Sequence, residues 1–325
     1  MPPSLQEPLP ETLQQLLGQM AELIALQRKQ GFEYTPIGMR ESLDNMTRRF
    51  VTQAPDVPLT RDTLVRGPDQ TDYPVPVRIY HPKPDQALPT IIFAHGGGHM
   101  AGSVSVYHLI ARKLAAASGR ILISVEYRLS PECPYPSALT DLKNVIRHLF
   151  PALEGLGIAH AQQLAVAGDS GGAAITASAV HQIADEEGVH IDKQLLVYPS
   201  LDYTMSSESM GTLGQGYLLE RERIGWLFDQ YFQHNEDRRQ ASPVFMPLPE
   251  HYPKTMVVTA GYCPLRDEGF AYVDRLALAG IDVENRHFPN MIHAFLNLED
   301  LVKDECSEFY QAAGEFLRVC SVNRS

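Results

Sequence analysis

The segment "LAVAGDSGGAAITASAV", Leu164–Val180, decides the fold because it reads as a strand, a sharp turn and a helix in direct succession. An apolar run before Gly168 is typical of a buried strand, and an alanine-rich run after Gly172 is typical of a helix. The small residues of this GxSxG pattern allow a tight turn and a close crossing of strand and helix. Such a turn exposes the Ser170 hydroxyl at the carboxyl end of a sheet, in front of the positive end of a helix dipole. The segment therefore predicts a nucleophilic serine.

Eight short runs are predicted to be strands, and most of them are continuously apolar, as expected of strands buried on both faces. From the third run onward helical patterns separate them, which predicts a mostly parallel sheet with helices on both faces. No helix separates the first two runs, so we expect an antiparallel start. The predicted strands are Leu59–Arg66, Pro76–Tyr80, Thr90–Ala94, Arg120–Glu126, Gln163–Gly168, Lys193–Tyr198, Lys254–Gly261 and Asp282–Phe288.

Two helical segments stand outside this alternation. In the N-terminal segment Leu13, Leu17 and Met20 share one helical face, and in the segment before the seventh strand Ile224 and Phe228 do the same. The two pieces would pack on each other as a cap over the sheet, unless each packs separately on the core. We expect cap segments at residues 1–50 and 203–242, and core segments at residues 51–202 and 243–325.

Composition excludes several classes of protein. A net charge of −12 leaves no basic surplus for nucleic acid, and no apolar run approaches the roughly 20 residues that insert across a membrane. The N-terminal stretch lacks the basic start and apolar run of a signal peptide. The cysteines show no paired CxxC pattern, so we expect no disulfide framework, no zinc site and a reducing cytoplasm. They are Cys133, Cys263, Cys306 and Cys320.

A glycine-rich loop follows the third predicted strand in "TIIFAHGGGHMAGS", residues 90–103. Consecutive glycines let backbone N–H groups converge on a developing negative oxygen, as a tetrahedral intermediate requires. A plain glycine turn is the alternative, and a phosphate loop fits poorly because no Lys-Ser/Thr pair follows the glycines. A glycine loop after strand three and a GxSxG turn after strand five, in that order, match the α/β-hydrolase arrangement.

The base should follow the last strand, because the chain order in that arrangement is Ser, acid, His. The stretch "RHFPNMIHAF", residues 286–295, offers two histidines. His287 lies inside the predicted eighth strand and is interpreted as structural. His293 lies beyond Pro289 and Asn290 in a loop before the final helix, so we predict that it is the base. The other ten histidines show no metal-ligand spacing, and no metal is expected.

These motifs together resemble the hormone-sensitive-lipase-like esterases, also called bacterial family IV lipolytic enzymes. The resemblance runs from about Phe32 to the C-terminus and is specific in combination. It is carried by "HGGG" (95–98), "EYRLSPECPYPSALTD" (126–141), "GDSGG" (168–172, usually with Ala at position 171), "LLVYPSLD" (195–202), "YLLERERIGWLFDQYF" (217–232) and "PNMIHAF" (289–295).

The resemblance implies an α/β-hydrolase fold with a helical cap, and a carboxylesterase that acts on short- to medium-chain acyl esters without a cofactor. It implies Ser170 as nucleophile and His293 as base, with oxyanion N–H groups from Gly97, Gly98 and Gly171. We also expect Met100 and the helix that begins at Tyr217 to line an apolar acyl pocket. We expect the chain to bind a small-molecule ester, and it could form a homodimer.

One position departs from the family. In "GYCPLRDEG", residues 261–269, Cys263 stands where the family carries its catalytic aspartate. Asp267 could substitute if Pro264 opens a helix, because it would lie one turn beyond and lean back toward the vacated site. Asp202 follows the sixth strand and is a second candidate. Cys263 could also act itself, for instance in a thiolate–imidazolium pair. The remaining option is that no acid operates.

The missing carboxylate should mainly lower the catalytic rate. Its loss in serine proteases lowers kcat by about 10⁴-fold. The remaining groups still accelerate the reaction by roughly 10³–10⁴-fold over the uncatalysed reaction in water. A slowed esterase is therefore expected even without a substitute. The rival interpretation is a ligand-binding pseudo-hydrolase, and the presence of both Ser170 and His293 argues against it.

Overall fold

The structure is a computed structural model that describes residues 5–31, 33–67 and 73–318, apart from the side chains of residues 27 and 28. Phe32, where the family resemblance begins, and Cys320 lie outside the described residues. In the described part of the chain no helix is long and apolar enough to cross a membrane.

All eight predicted strands are confirmed, and they form one sheet of order β1-β2-β4-β3-β5-β6-β7-β8. β2 runs antiparallel to both β1 and β4, and the remaining neighbours are parallel. The predicted antiparallel start is thus confirmed. The strands are β1 (Leu59–Val65), β2 (Val75–His81), β3 (Leu88–Ala94), β4 (Ile121–Val125), β5 (His160–Asp169), β6 (Lys193–Val197), β7 (Lys254–Tyr262) and β8 (Val283–Ile292).

Helices cover both faces of this sheet, as the strand–helix alternation predicts. A 3₁₀ helix, Phe295–Leu301, follows β8 and precedes the last α-helix. The α-helices are α1 (Glu11–Lys29), α2 (Pro36–Phe50), α3 (His108–Ser118), α4 (Ser137–Gly155), α5 (Gly171–Ile183), α6 (Glu208–Thr212), α7 (Arg221–Tyr231), α8 (Arg238–Ala241), α9 (Arg266–Leu278) and α10 (Lys303–Leu317).

The central strands are apolar along their whole length because each of their faces meets a different core. Successive side chains of a strand point to opposite faces. Phe93 of β3 joins the core that contains Leu114 of α3, whereas its neighbour Ile92 joins the core that contains Leu142 of α4. Continuous apolarity in "TIIFA" and "ILISV" therefore reflects burial on both sides, and it fixes the sheet whose carboxyl ends carry the site.

The turn between β5 and α5 is as tight as the GxSxG pattern predicts. Ser170 adopts φ 53°, a strained value for a residue with a side chain. A Cβ atom on Gly172 would lie only 2.2 Å from the Ala94 carbonyl oxygen of β3, so no larger residue fits where α5 crosses the sheet. The close crossing holds Ser170 at the carboxyl end of β5.

The two helical segments outside the alternation meet above that edge of the sheet. Leu16 of α1, Leu43 of α2 and Leu227 of α7 line one cavity together with Ser170. The apolar stripe predicted for α7 is confirmed, since Ile224, Leu227, Phe228 and Tyr231 are all buried. This shared cavity agrees with the cap hypothesis, and the domain boundaries themselves stay a prediction.

Candidate active site

Ser170 and His293 come together although 123 residues separate them in the chain. The Oγ atom of Ser170 lies 2.9 Å from Nε2 of His293. His293 follows directly after β8 ends at Ile292, and its side chain is only 5% exposed. Because β5 and β8 end at the same edge of a parallel sheet, the serine turn and the histidine loop converge there. The distance suits proton transfer between a nucleophile and a general base.

Cys263 stands on the other side of the histidine ring. Its Sγ atom lies 3.1 Å from Nδ1 of His293, just beyond the end of β7. The backbone N–H of Leu265 also donates to this sulfur, at 3.4 Å. The thiol is buried and has no second cysteine as a partner. A sulfur therefore faces Nδ1 where a carboxylate would orient the ring.

The structure does not bring Asp267 to His293. Helix α9 begins at Arg266, not at Pro264, so Asp267 lies in the first turn and points toward α6. Its Oδ2 accepts the backbone N–H of Ser209 at 2.9 Å, and its Oδ1 pairs with Arg266 Nε at 2.8 Å. These bonds explain the acidic first turn without a catalytic role.

The other two nearby acids are also engaged elsewhere. Asp202 braces its own loop by accepting bonds from the backbone and hydroxyl groups of Thr204 and Ser206. Glu268 accepts the backbone N–H of Leu201 at 2.6 Å. Among the residues that the structure describes, no carboxylate is hydrogen-bonded to His293.

Electrostatics keep the Cys263–His293 pair neutral. Burial lowers the pKa of His293 to about 3, and the positive charge of Arg223 lowers it as well. Burial raises the pKa of the Cys263 thiol far above its usual range. A thiol and a neutral imidazole therefore face each other, and the thiolate–imidazolium pair considered from the sequence is disfavoured because both ions would be desolvated.

The glycine loop after β3 wraps over the serine. Gly97 and Gly98 adopt φ values of +124° and +62°, which glycine reaches without strain. A Cβ atom on Gly171 would lie 3.2 Å from the backbone nitrogen of Gly98, so the loop and the start of α5 almost touch. All three glycines line the cavity that contains Ser170. The loop and α5 thus put the three predicted oxyanion donors beside the nucleophile.

Asp169 holds this loop in place, and the sequence interpretation missed it. Its Oδ1 accepts the backbone N–H of Gly96 at 2.6 Å, and its Oδ2 accepts the hydroxyl of Tyr107 at 3.1 Å. Burial raises its pKa to about 7, although these two hydrogen bonds lower it. The available signal was an acid inside the GxSxG turn, which the strand order puts next to the glycine loop.

The cavity above Ser170 has a volume of about 480 Å³ and mostly apolar walls. Met100 is not among its lining residues, because it is fully buried and its carbonyl oxygen accepts Arg40 Nε. The predicted helix begins at Arg221 and not at Tyr217. Tyr217 packs instead on Tyr262, with ring centroids 5.1 Å apart. The walls come from α1, α2, the segment before α7 and α7 itself, and they include Leu16, Met20, Leu23, Met39, Leu43, Met46, Phe50, Leu218, Leu219, Ile224, Leu227 and Phe228.

Two arginines also line this cavity, and the sequence interpretation did not single them out. They are Arg49 at the end of α2 and Arg223 in α7.

In the described part of the chain, no group of three or more His, Cys, Asp or Glu side chains is arranged to hold a metal ion. At the site itself, a serine, a histidine and the glycine N–H groups lie together.

Comparison with known proteins points to the same chemistry. Residues 91–297 match a protein-family profile described as the alpha/beta hydrolase fold. The chain is similar to ethyl acetate hydrolase of Pseudomonas putida, with 31% identity over 236 residues, which is 71% of this chain and 74% of that protein. It is similar to carboxylesterase NlhH of Mycobacterium tuberculosis, with 32% identity over 230 residues, covering 69% and 72% of the two chains.

Solved structures agree over nearly the whole length. An ester hydrolase from the metagenome of Lake Arreo superposes with a TM-score of 0.84 at 30% identity, covering 95% of this chain and 98% of that one. A hyperthermophilic esterase from Pyrobaculum calidifontis gives a TM-score of 0.82 at 28% identity, covering 96% and 98%.

Proposed function

The chain belongs to the alpha/beta hydrolase fold family, and we propose that it is a serine carboxylesterase in which Ser170 is the nucleophile and His293 the base. The observation that carries the assignment is the 2.9 Å contact between Ser170 Oγ and His293 Nε2, beneath the glycine loop and inside an apolar cavity. The relatives named as ester hydrolases support the reaction type.

The reaction follows from this geometry. Ser170 Oγ attacks the ester carbonyl carbon while its proton passes to Nε2 of His293. The carbonyl oxygen becomes negative, and the N–H groups of Gly97, Gly98 and Gly171 stabilise it. The protonated histidine then gives its proton to the leaving alcohol, which leaves an acyl-enzyme. Water attacks the acyl group by the same route and restores Ser170.

We propose short- to medium-chain acyl esters as substrates. A cavity of about 480 Å³ with apolar walls suits a small organic ester. Cys263 takes the position of the acid and slows the reaction, because a neutral thiol stabilises the transient imidazolium less than a carboxylate does.

The test is hydrolysis of p-nitrophenyl butyrate by the protein and by its Ser170→Ala variant. Wild type should turn the ester over, and Ser170→Ala should lose the turnover and the labelling by a serine-directed phosphonate. Ser178→Ala, a buried serine further along α5, is the matched control and should keep both. Undiminished hydrolysis by Ser170→Ala would contradict the proposal. A ligand-binding protein without activity, the rival interpretation, would show no turnover in any of the three.

Two further proposals concern the cellular compartment and the oligomeric state of the protein. We propose a reducing compartment, such as the cytoplasm, because the described cysteines Cys133, Cys263 and Cys306 are free thiols. Cell fractionation tests this location. We also propose a homodimer, which light scattering on the purified protein would detect or exclude.

A further inference from the structure

Arg223 puts a positive charge into the wall of the active-site cavity. It lies in the first turn of α7 and lines the same cavity as Ser170 and His293. Its Nη2 group donates a hydrogen bond to the carbonyl oxygen of Leu218. The charge reaches the catalytic histidine, since it lowers the pKa of His293. The guanidinium is therefore part of the environment of the reaction.

No acid neutralises this guanidinium directly within the described residues. Glu220, at the start of α7, and Tyr34 are the groups whose charges act on it, and both raise its pKa. Asp169 does line the cavity, but its carboxylate accepts the backbone N–H of Gly96. Several arginines elsewhere are paired with carboxylates, as in Arg40–Glu132, Arg78–Asp62, Arg128–Asp141 and Arg238–Asp229.

The donors of Arg223 are only partly used. The bond to Leu218 occupies Nη2, and in the part of the chain that the structure describes Nε and Nη1 have no hydrogen-bond partner. The cavity that Arg223 lines has mostly apolar walls, which include Ile224 and Leu227. Burial there lowers the pKa of Arg223 from the ordinary guanidinium value, which shows the cost of desolvating the charge. An anion in the cavity would offset that cost.

The planar fork of a guanidinium matches a carboxylate better than any neutral group. On the basis of the ester hydrolysis proposed above, we infer that the substrate is an ester that carries a second, free carboxylate, which binds to Arg223. Arg223 is thus a specificity-determining residue of the acyl-transfer site.

Binding of this carboxylate affects the chemical step as well as affinity. The positive charge of Arg223 opposes the formation of the His293 imidazolium, and Cys263 supplies no negative charge to compensate. A substrate carboxylate paired with Arg223 cancels that opposing charge. Charged substrates should therefore gain in kcat and not only in KM.

Two matched pairs of esters test the inference. In the first pair, p-nitrophenyl hydrogen glutarate carries its carboxylate on the acyl side, and p-nitrophenyl valerate is neutral. In the second pair, 4-acetoxybenzoate carries it on the leaving group, and p-tolyl acetate is neutral. We expect kcat/KM to be about tenfold higher or more for the charged member of at least one pair, because a charged hydrogen bond stabilises by roughly that factor.

The variants assign the preference to Arg223. Arg223→Gln should lose this preference. Its kcat for the neutral esters should rise, because the charge that opposes the His293 imidazolium is gone, and that turnover also shows that the variant is folded. Arg223→Lys keeps the charge without the fork and should retain part of the preference. Arg49→Gln, which removes the other and exposed cavity arginine, is the matched control and should keep it.

The outcomes separate the two proposals. Turnover of the neutral esters with no preference for either charged one overturns this inference and leaves the esterase assignment intact. A preference that survives Arg223→Gln, or that disappears in Arg49→Gln instead, also overturns it. Failure to hydrolyse any of the four esters would contradict the proposed function itself.

Discussion

The Sγ atom of Cys263 lies 3.1 Å from Nδ1 of His293, and burial holds both groups neutral. Two tautomers of the pair are then available. If the thiol donates to Nδ1, the proton on Nε2 points at Ser170 and the ring cannot accept the serine proton. If Nδ1–H donates to sulfur, Nε2 is free to act as base. A carboxylate permits only the second arrangement, whereas sulfur is a weak acceptor that selects it poorly.

Replacing the thiol by a carboxylate should therefore accelerate the enzyme. Cys263→Asp is expected to raise kcat for p-nitrophenyl butyrate by about 10³–10⁴, because the carboxylate fixes the productive tautomer and stabilises the imidazolium. Steady-state kinetics with active-site titration measure the gain per intact serine. The matched control is Asp267→Asn, which removes a carboxylate that bonds to Ser209 and Arg266 and should leave kcat within a few fold. A small gain for Cys263→Asp together with a collapse in Asp267→Asn would show that Asp267 is the working acid.

The same pair sets the pH dependence of the reaction. The acid limb of kcat/KM reports the pKa of the free enzyme's base. With the pKa of His293 lowered to about 3, the base stays neutral throughout the mildly acidic range, so wild type should show no His293 limb near pH 6.5. Cys263→Asp should move the limb to higher pH, because a neighbouring negative charge favours the imidazolium.

A second group titrates nearby, so the profiles are best compared in an Asp169→Asn background. Asp169 has a pKa of about 7 and holds the glycine loop. With that group removed, profiles with Cys263 and with Cys263→Asp should differ only through the coupled titration of His293 and its partner at position 263. Coincident acid limbs in these two proteins would contradict the assignment of the shift to the pair.

Much of this architecture could be predicted from the sequence because its signals are local. Continuous apolar runs such as "TIIFA" mark strands buried on both faces, and chain order alone leads to His293. The direction of Asp267 could not be predicted, because α9 begins two residues later than Pro264 and this turns the side chain toward α6. Arg223 escaped notice for a related reason: only the packing of the inserted helix over the sheet reveals that its guanidinium enters the cavity.

Asp169 should make the stability of the protein depend on pH. Its pKa rises from 3.8 to about 7 on folding, because burial disfavours the carboxylate. A raised folded pKa contributes stability below about pH 4 that is lost as the pH rises to about 7, and the shift corresponds to roughly 4 kcal/mol at most. Urea unfolding at several pH values should show wild type losing free energy of unfolding relative to Asp169→Asn over this window. Asp62→Asn is the control, and its effect should depend on pH in the opposite direction. Arg78 lowers the pKa of Asp62, so the stability that Asp62 contributes is lost as the pH falls. A difference between wild type and Asp169→Asn that does not vary with pH would contradict the buried titration.

The contact between the oxyanion loop and the inserted helix predicts a rescue. A methyl group on Gly98 would lie 2.6 Å from Leu227 Cδ1, whereas one on Gly97 would lie 2.1 Å from the backbone oxygen of Ala101. Gly98→Ala should therefore displace the loop and lower kcat by up to about 10²–10³, the usual cost of losing an oxyanion donor. Adding Leu227→Ala removes the obstructing side chain and should restore at least about tenfold, since residues in contact are coupled. Gly97→Ala is the matched control, because its clash is with backbone and Leu227→Ala should not rescue it. Equal recovery of both glycine variants, or of neither, in kcat measurements on folded protein would show that Leu227 does not press on the loop at Gly98.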